Sequence, residues 1–191
     1  MSGESLRAAP RRTIRRTETM ARRTARAAFA GLALAFIGAT SAGAQGAPKL
    51  VGQFGDWGVY VDTSGSGKIC YALSQPKSRQ PSGLTRDPAY FFISTRTAEN
   101  VRGEVSVVMG FPLKEGTDAT LTIGPANFGL YTRGTGAWVR NVAEEKKLID
   151  TMRKGRDVVV KSTSVRGNVT TDTYSLNGIS AAVDRATQEC R

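Results

Sequence analysis

The chain has no histidine, only two cysteines in 191 residues, and 16 acidic side chains against 27 basic ones. Each shortage removes a chemistry. Without histidine there is no Ser-His-Asp triad, no Cys-His pair and no imidazole metal ligand. Two cysteines cannot supply a four-thiolate zinc site or hold an iron–sulfur cluster. They are not spaced as C-x-x-C, so the usual dithiol redox motif is missing too. No metal and no cofactor is expected. Length leaves room for one domain with a tail.

The basic surplus is unevenly spread. Residues 1–44 hold Arg7, Arg11, Arg12, Arg15, Arg16, Arg22, Arg23 and Arg26 against Glu4 and Glu18, a net charge of +6, while residues 45–191 carry +5. After Arg26 comes the apolar run Ala27–Ala39, which spans about 20 Å as a helix, short of the roughly 30 Å hydrocarbon core. Small residues then lead to Ala42-Gly43-Ala44. This order is that of a secretory signal, with Ala42 and Ala44 filling the small pockets of a signal peptidase. Residues 1–44 are therefore read as a signal peptide cleaved after Ala44, with Met20 as an alternative start. Arg22-Arg23 is ordinary n-region charge, because Thr24-Ala25 does not continue a twin-arginine motif. No cysteine follows the cleavage point to carry a lipid. The expected location is the periplasm, or the cell surface and medium.

Export changes how the cysteines are read. An oxidising compartment favours a Cys70–Cys190 bridge over two buried thiols. It would close a loop of about 120 residues, worth about 5 kcal/mol in the chain-entropy model.

Residues 45–50 read as a flexible leader and 51–191 as one β domain. Trp57–Asp62 and Ile69–Ser74 flank the turn Thr63–Lys68, a hairpin signal. Gln75–Pro88, with three prolines, reads as a loop. Ala89–Thr97 and Gly103–Phe111 are rich in aromatic and β-branched residues and suit central strands. Thr117–Ile123, Asn127–Thr132, Ala137–Arg140, Asp157–Ser162 and Asn168–Leu176 complete the set. Asn141 caps a helix with Glu144 at N3, an apolar face of Val142, Leu148, Ile149 and Met152, and a left-handed stop at Gly155. Ile179, Ala182, Val183, Ala186 and Cys190 recur at helical spacing near the end. The predicted fold is mainly β, an antiparallel β-sandwich or partly open barrel with two short amphipathic helices.

Phe54-Gly55-Asp56-Trp57 opens a series of segments that resembles one family. Ile69-Cys70-Tyr71, Phe91–Ser94 followed by Arg96, Asn100–Ser106, Gly136-Ala137-Trp138, Ala143-Glu144-Glu145, Thr171–Leu176 and the closing helix with its cysteine continue it. In this order and spacing, over residues 50–190, the chain resembles the invasion-associated locus B family. The resemblance implies an exported or cell-surface domain, mostly β, with no enzymatic activity and no settled ligand.

Several constellations can be weighed on chemistry alone. Glu144 and Glu145 point about 100° apart on a helix, unlike two carboxylates facing across a cleft, and suit the helix dipole. Gly65-Ser66-Gly67-Lys68 lacks the following Ser/Thr and helix of a phosphate loop. Asn168-Val169-Thr170 matches a glycosylation sequon by chance on a strand. Lys77, Arg79 and Arg86 in the proline-bearing loop, and Arg153, Lys154 and Arg156 after the first helix, are candidate contacts for an anionic glycolipid or polymer. Nucleic acid ranks lower, because +5 over the exported part is ordinary. Trp57 and Trp138 are candidate contact platforms set against core packing. The leading expectation is a non-enzymatic domain that binds an envelope or host component. A cationic polymer binder and an envelope hydrolase using carboxylates such as Asp56 or Glu104 are the alternatives.

Overall fold

A computed structural model describes residues 46–191, and the segment read as a signal peptide, with Ala42, Ala44 and Met20, lies outside them. Among the described residues, eleven strands form one unclosed antiparallel sheet accompanied by two short helices. The chain runs β1 (Lys49–Phe54), β2 (Trp57–Asp62), β3 (Ile69–Ser74), β4 (Ser78–Gln80), β5 (Tyr90–Arg96) and β6 (Val101–Val108). It continues with β7 (Ala119–Ile123), β8 (Ala126–Arg133), β9 (Gly136–Val139), α1 (Val142–Met152), β10 (Asp157–Thr163), β11 (Val169–Ser175) and α2 (Ile179–Glu189). Their order across the sheet is β1-β2-β3-β5-β6-β9-β8-β7-β10-β11-β4. This is the mainly β class expected, consistent with a sandwich or partly open barrel.

Alternation decides which face is inside. Trp57, Val59, Cys70, Ala72, Phe91, Ile93, Val105 and Val107 are buried, and so are Leu121, Leu130, Val158, Val160 and Tyr174 from the other half of the sheet. The two halves meet because the sheet curls. Trp57 donates from Nε1 to the Ser175 carbonyl at 2.9 Å, and Phe91 packs edge-on against Tyr174 with centroids 5.4 Å apart. The α2 helix lays Ile179, Ala182, Val183 and Ala186 into the same core. Cys190 then joins Cys70 in a disulfide that spans 120 positions.

Four local expectations need correction. β1 starts at Lys49, inside the segment read as a leader, because Lys49 and Leu50 pair with Val61 and Tyr60. The loop Gln75–Pro88 contains β4, which hydrogen-bonds to β11 through Ser78–Gln80. Val142 is 77 % exposed and contributes nothing to the buried face of α1, which uses Glu145, Leu148 and Met152. Gly155 is not left-handed. It is small because a Cβ would sit 2.6 Å from Ile123 Cγ2 and 2.9 Å from Leu176 Cδ1.

Asn141 does cap α1, accepting from the Ala143 amide at 3.0 Å. Its expected partner Glu144 is exposed, and the carboxylate that is used belongs to Glu145.

Candidate functional site

Most of the polar side chains singled out by sequence serve the fold. Gly55 has φ +53 and Gly178 has φ +89, and the two turns pack backbone to backbone. A Cβ on Gly178 would lie 2.0 Å from the Phe54 carbonyl oxygen, and the Asp56 amide donates to Asn177 at 3.1 Å. The Phe54-Gly55-Asp56-Trp57 segment is thus a turn pressed against the entry to α2. Trp57 is fully buried with its indole N–H satisfied, so it is a core residue and is corrected as a contact platform.

The proline-bearing loop is held by a buried charge cluster. Asp172 is inaccessible to solvent and accepts from Arg79 Nε at 3.0 Å and from Arg86 Nη1 at 3.3 Å. Arg79 also donates to the carbonyls of Asp87 at 2.8 Å and Met109 at 2.6 Å, and Arg86 to that of Pro81 at 3.0 Å. Burial pushes the Asp172 carboxyl above its ordinary range, against the pull of the two guanidiniums. Lys77 pairs with Asp56, whose carboxyl that hydrogen bond draws below its ordinary range. Arg79 and Arg86 are therefore corrected as free contacts for an anion: they share one carboxylate, spend their other donors on backbone carbonyls, and serve the structure.

A second cluster sits at the β5–β6 turn. Arg96 makes a two-pronged pair with Glu104 at 2.7 and 2.9 Å and reaches Glu99 at 2.8 Å. These hydrogen bonds hold the guanidinium more firmly protonated than usual. Beside it, Glu145 of α1 accepts from the Val105 amide at 3.2 Å. β6 pairs with β9 only from Ser106 to Val108, so the Glu145 carboxylate takes the place of the absent strand. Burial raises the Glu145 carboxyl above its ordinary value. The glycine-rich turn before β3 is likewise structural, since Lys68 donates to the Glu189 carbonyl at the end of α2.

Of the second basic group, Arg153 is engaged by Asp184 at 2.7 Å and by the Ser180 carbonyl at 3.2 Å. Lys154 is exposed and has no salt-bridge partner among the described residues, and Arg156 is 96 % exposed with Asp157 only at 4.0 Å. These two stand at a groove of about 540 Å³ between the β7–β8 turn and the end of α1. A smaller groove of about 390 Å³ lies beside Asp56, Tyr60 and Lys77.

What sequence reasoning missed is the outer face of the sheet. The register aligns Gly58, Leu73, Phe92, Ser106, Trp138 and Tyr131 across β2, β3, β5, β6, β9 and β8. The next rows add Tyr60 opposite Tyr71, and Tyr90 opposite Val108. Tyr60 stacks on Tyr71 at 5.4 Å, Tyr71 meets Phe92 at 5.7 Å, and Trp138 stacks on Tyr131 at 5.7 Å. Arg140 lies over the Tyr131 ring at 5.7 Å. Trp138 covers Gly136, where a Cβ would fall 2.3 Å from its ring. Unlike Trp57, Trp138 is half-buried, and Tyr131 is 36 % exposed. The signal was available: in ICYALS the outward phase Ile69, Tyr71 and Leu73 is as apolar as the inward Cys70 and Ala72, which puts hydrophobic side chains on both faces.

Fold and surface together define a class: a small, disulfide-stapled β domain, plugged by a helix and carrying an aromatic belt outside. The chain belongs to the family described as invasion associated locus B (IalB) protein, whose profile matches residues 57–187. No curated protein and no solved structure matches it. Membership and the disulfide are compatible with a location outside the cytoplasm. No helix among the described residues is long and apolar enough to cross a membrane.

Proposed function

We propose that this chain is an exported, non-enzymatic binding domain whose outward aromatic belt docks a protein of the cell envelope or of a host cell. The observation that carries this reading is the register row ending in Trp138 and Tyr131, with Arg140 over the ring. Tyr, Trp and Arg are the side chains that dominate protein–protein hot spots, because each offers a large rigid contact with one polar end. The same side chains are costly on a surface that meets only water. The carboxylates Asp56, Glu104, Glu145 and Asp172 are meanwhile engaged in ion pairs or backbone bonds.

The test is capture from envelope and host-surface extracts on the immobilised chain, compared with the Trp138→Ser and Tyr131→Ser variants, at roughly 50 and 200 mM salt. A protein retained at the higher salt by the wild type and lost by both variants is expected. Equal capture by variants and wild type would sink the proposal, as would capture only of nucleic acid at the lower salt. Export is tested by mass. The chain recovered from cells should begin near Gln45 and be lighter before reduction by the pair of hydrogens lost at Cys70 and Cys190. A full-length, unoxidised mass would refute export.

A further inference from the structure

The groove between the β7–β8 turn and the end of α1 shares no residue with the aromatic belt, and it has its own chemistry. Ile123, Pro125 and Val159 give it an apolar lining, and Lys154 and Arg156 stand at it as exposed cations. Its volume of about 540 Å³ falls in the range of roughly 300–1,000 Å³ found for small-ligand sites. Its shape is built in. Gly155 sits between the two cations, and its missing Cβ lets the chain close onto Ile123 and Leu176.

Charge sets these two cations apart from the others of their groups. Lys77, Arg79, Arg86 and Arg153 all have a carboxylate at 3.3 Å or less, whereas Arg156 has Asp157 only at 4.0 Å and Lys154 has none in salt-bridge range among the described residues. Asp157 is the one acid in the lining and offsets part of the positive charge. Two cations against one distant carboxylate, beside an apolar lining, complement a molecule with an anionic head and a hydrocarbon tail.

We infer that this groove binds a phosphate-headed lipid, the phosphate meeting Lys154 and Arg156 and the chain lying along Ile123, Pro125 and Val159. A phosphate monoester carries about −1.5 to −2 at neutral pH, more than one cation can match. A guanidinium fork and an ammonium together supply donors for its three terminal oxygens. A carboxylate head has a single charge and leaves one cation unmatched.

Calorimetric titration of the full chain with soluble probes tests this. Octyl phosphate supplies head and tail, inorganic phosphate the head alone, octyl glucoside the tail alone, and octanoate the same tail with a carboxylate. Saturable binding of octyl phosphate is expected, weakening in the order octanoate, then inorganic phosphate and octyl glucoside. The double variant Lys154→Gln/Arg156→Gln should weaken octyl phosphate by about tenfold or more, the factor that loss of even one charge-assisted hydrogen bond carries. Both side chains are exposed, so the variant's unfolding midpoint should match the wild type. Val159→Ser should weaken octyl phosphate and leave inorganic phosphate unchanged. Octyl phosphate binding no tighter than inorganic phosphate, or equally tight to the double variant, would overturn the inference. That failure would leave the belt variants' effect on protein capture intact, so the two proposals fail separately.

Discussion

Replacing Asp172 with alanine is the most informative single perturbation of this fold. The carboxylate is fully buried, and its partners Arg79 and Arg86 have side chains only 20 % and 7 % exposed. A solvent-exposed ion pair is worth about 0–1 kcal/mol. Here the alanine variant would strand two guanidiniums in a sheltered site, and breaking a buried pair in this way costs about 3–5 kcal/mol. Arg79 keeps the Asp87 and Met109 carbonyls and Arg86 keeps that of Pro81, which satisfies part of their donor capacity. The lower end, about 3 kcal/mol, is therefore expected. That is a large share of the roughly 5–15 kcal/mol that holds a domain of this size together.

Urea unfolding reads this directly. With a slope of about 1–3 kcal/mol per molar, the midpoint should fall by about 1 M or more. Asp172→Asn keeps the acceptor but not the charge and should fall between wild type and alanine. The triple variant Asp172→Leu/Arg79→Met/Arg86→Met removes the stranded charges and should recover most of the loss. Trypsin adds a local probe, since cutting after Arg86 should accelerate in Asp172→Ala when the segment after β4 is released. A loss below about 1 kcal/mol, or a triple variant no more stable than the single one, would refute the view that Asp172 pins this segment to β11.

Three further outcomes follow from the same packing. Cys70→Ser and Cys190→Ser should each lower stability by about 2–5 kcal/mol, and the double variant should be no worse than either; additive losses in urea would mean the bridge is not the shared cause. The Tyr174 hydroxyl is buried with no hydrogen-bond partner among the described residues, so Tyr174→Phe should leave stability unchanged or raise it by up to about 1 kcal/mol; a clear loss in thermal unfolding would reveal a bonded hydroxyl. Burial raises the Glu145 carboxyl above its ordinary value, so the folded state holds that proton to higher pH than the unfolded chain does. Wild type should therefore lose stability relative to Glu145→Gln as pH rises from the unfolded carboxyl's range through the folded one, and a pH-independent difference in melting temperature would contradict this.

Most strands were legible because their inward phases are apolar and their turns are marked by glycine, whereas β11 buries Thr170 and Asp172 beside Tyr174. β5 and β6 have near-continuous apolar runs, and both lie in the interior of the sheet order. α2 was legible for the same reason, its buried residues being the ones its spacing picks out. Two things were hidden. β4 has three polar residues and is a strand only because β11 offers it an edge, so no local pattern marks it. α1 buries Glu145 in place of Val142, because the helix must supply an acceptor to an amide that β9 stops short of pairing. Both are tertiary effects.

The basic residues show why charge read along a sequence misplaces a site. Lys77, Arg79 and Arg86 look like a cationic loop because their partners Asp56 and Asp172 are 21, 93 and 86 positions away. Only the fold brings them together, and once paired they hold β4 and its loop in place. Lys154 and Arg156 read no differently in sequence, yet they stand at the groove with no carboxylate closer than the 4.0 Å of Asp157 among the described residues. What separates the two groups is whether a carboxylate lies within close reach, and for the two arginines of the loop that carboxylate is buried. Asp172 needs them, as an ion that would otherwise be buried alone, and so it fixes Arg79 and Arg86 as structural.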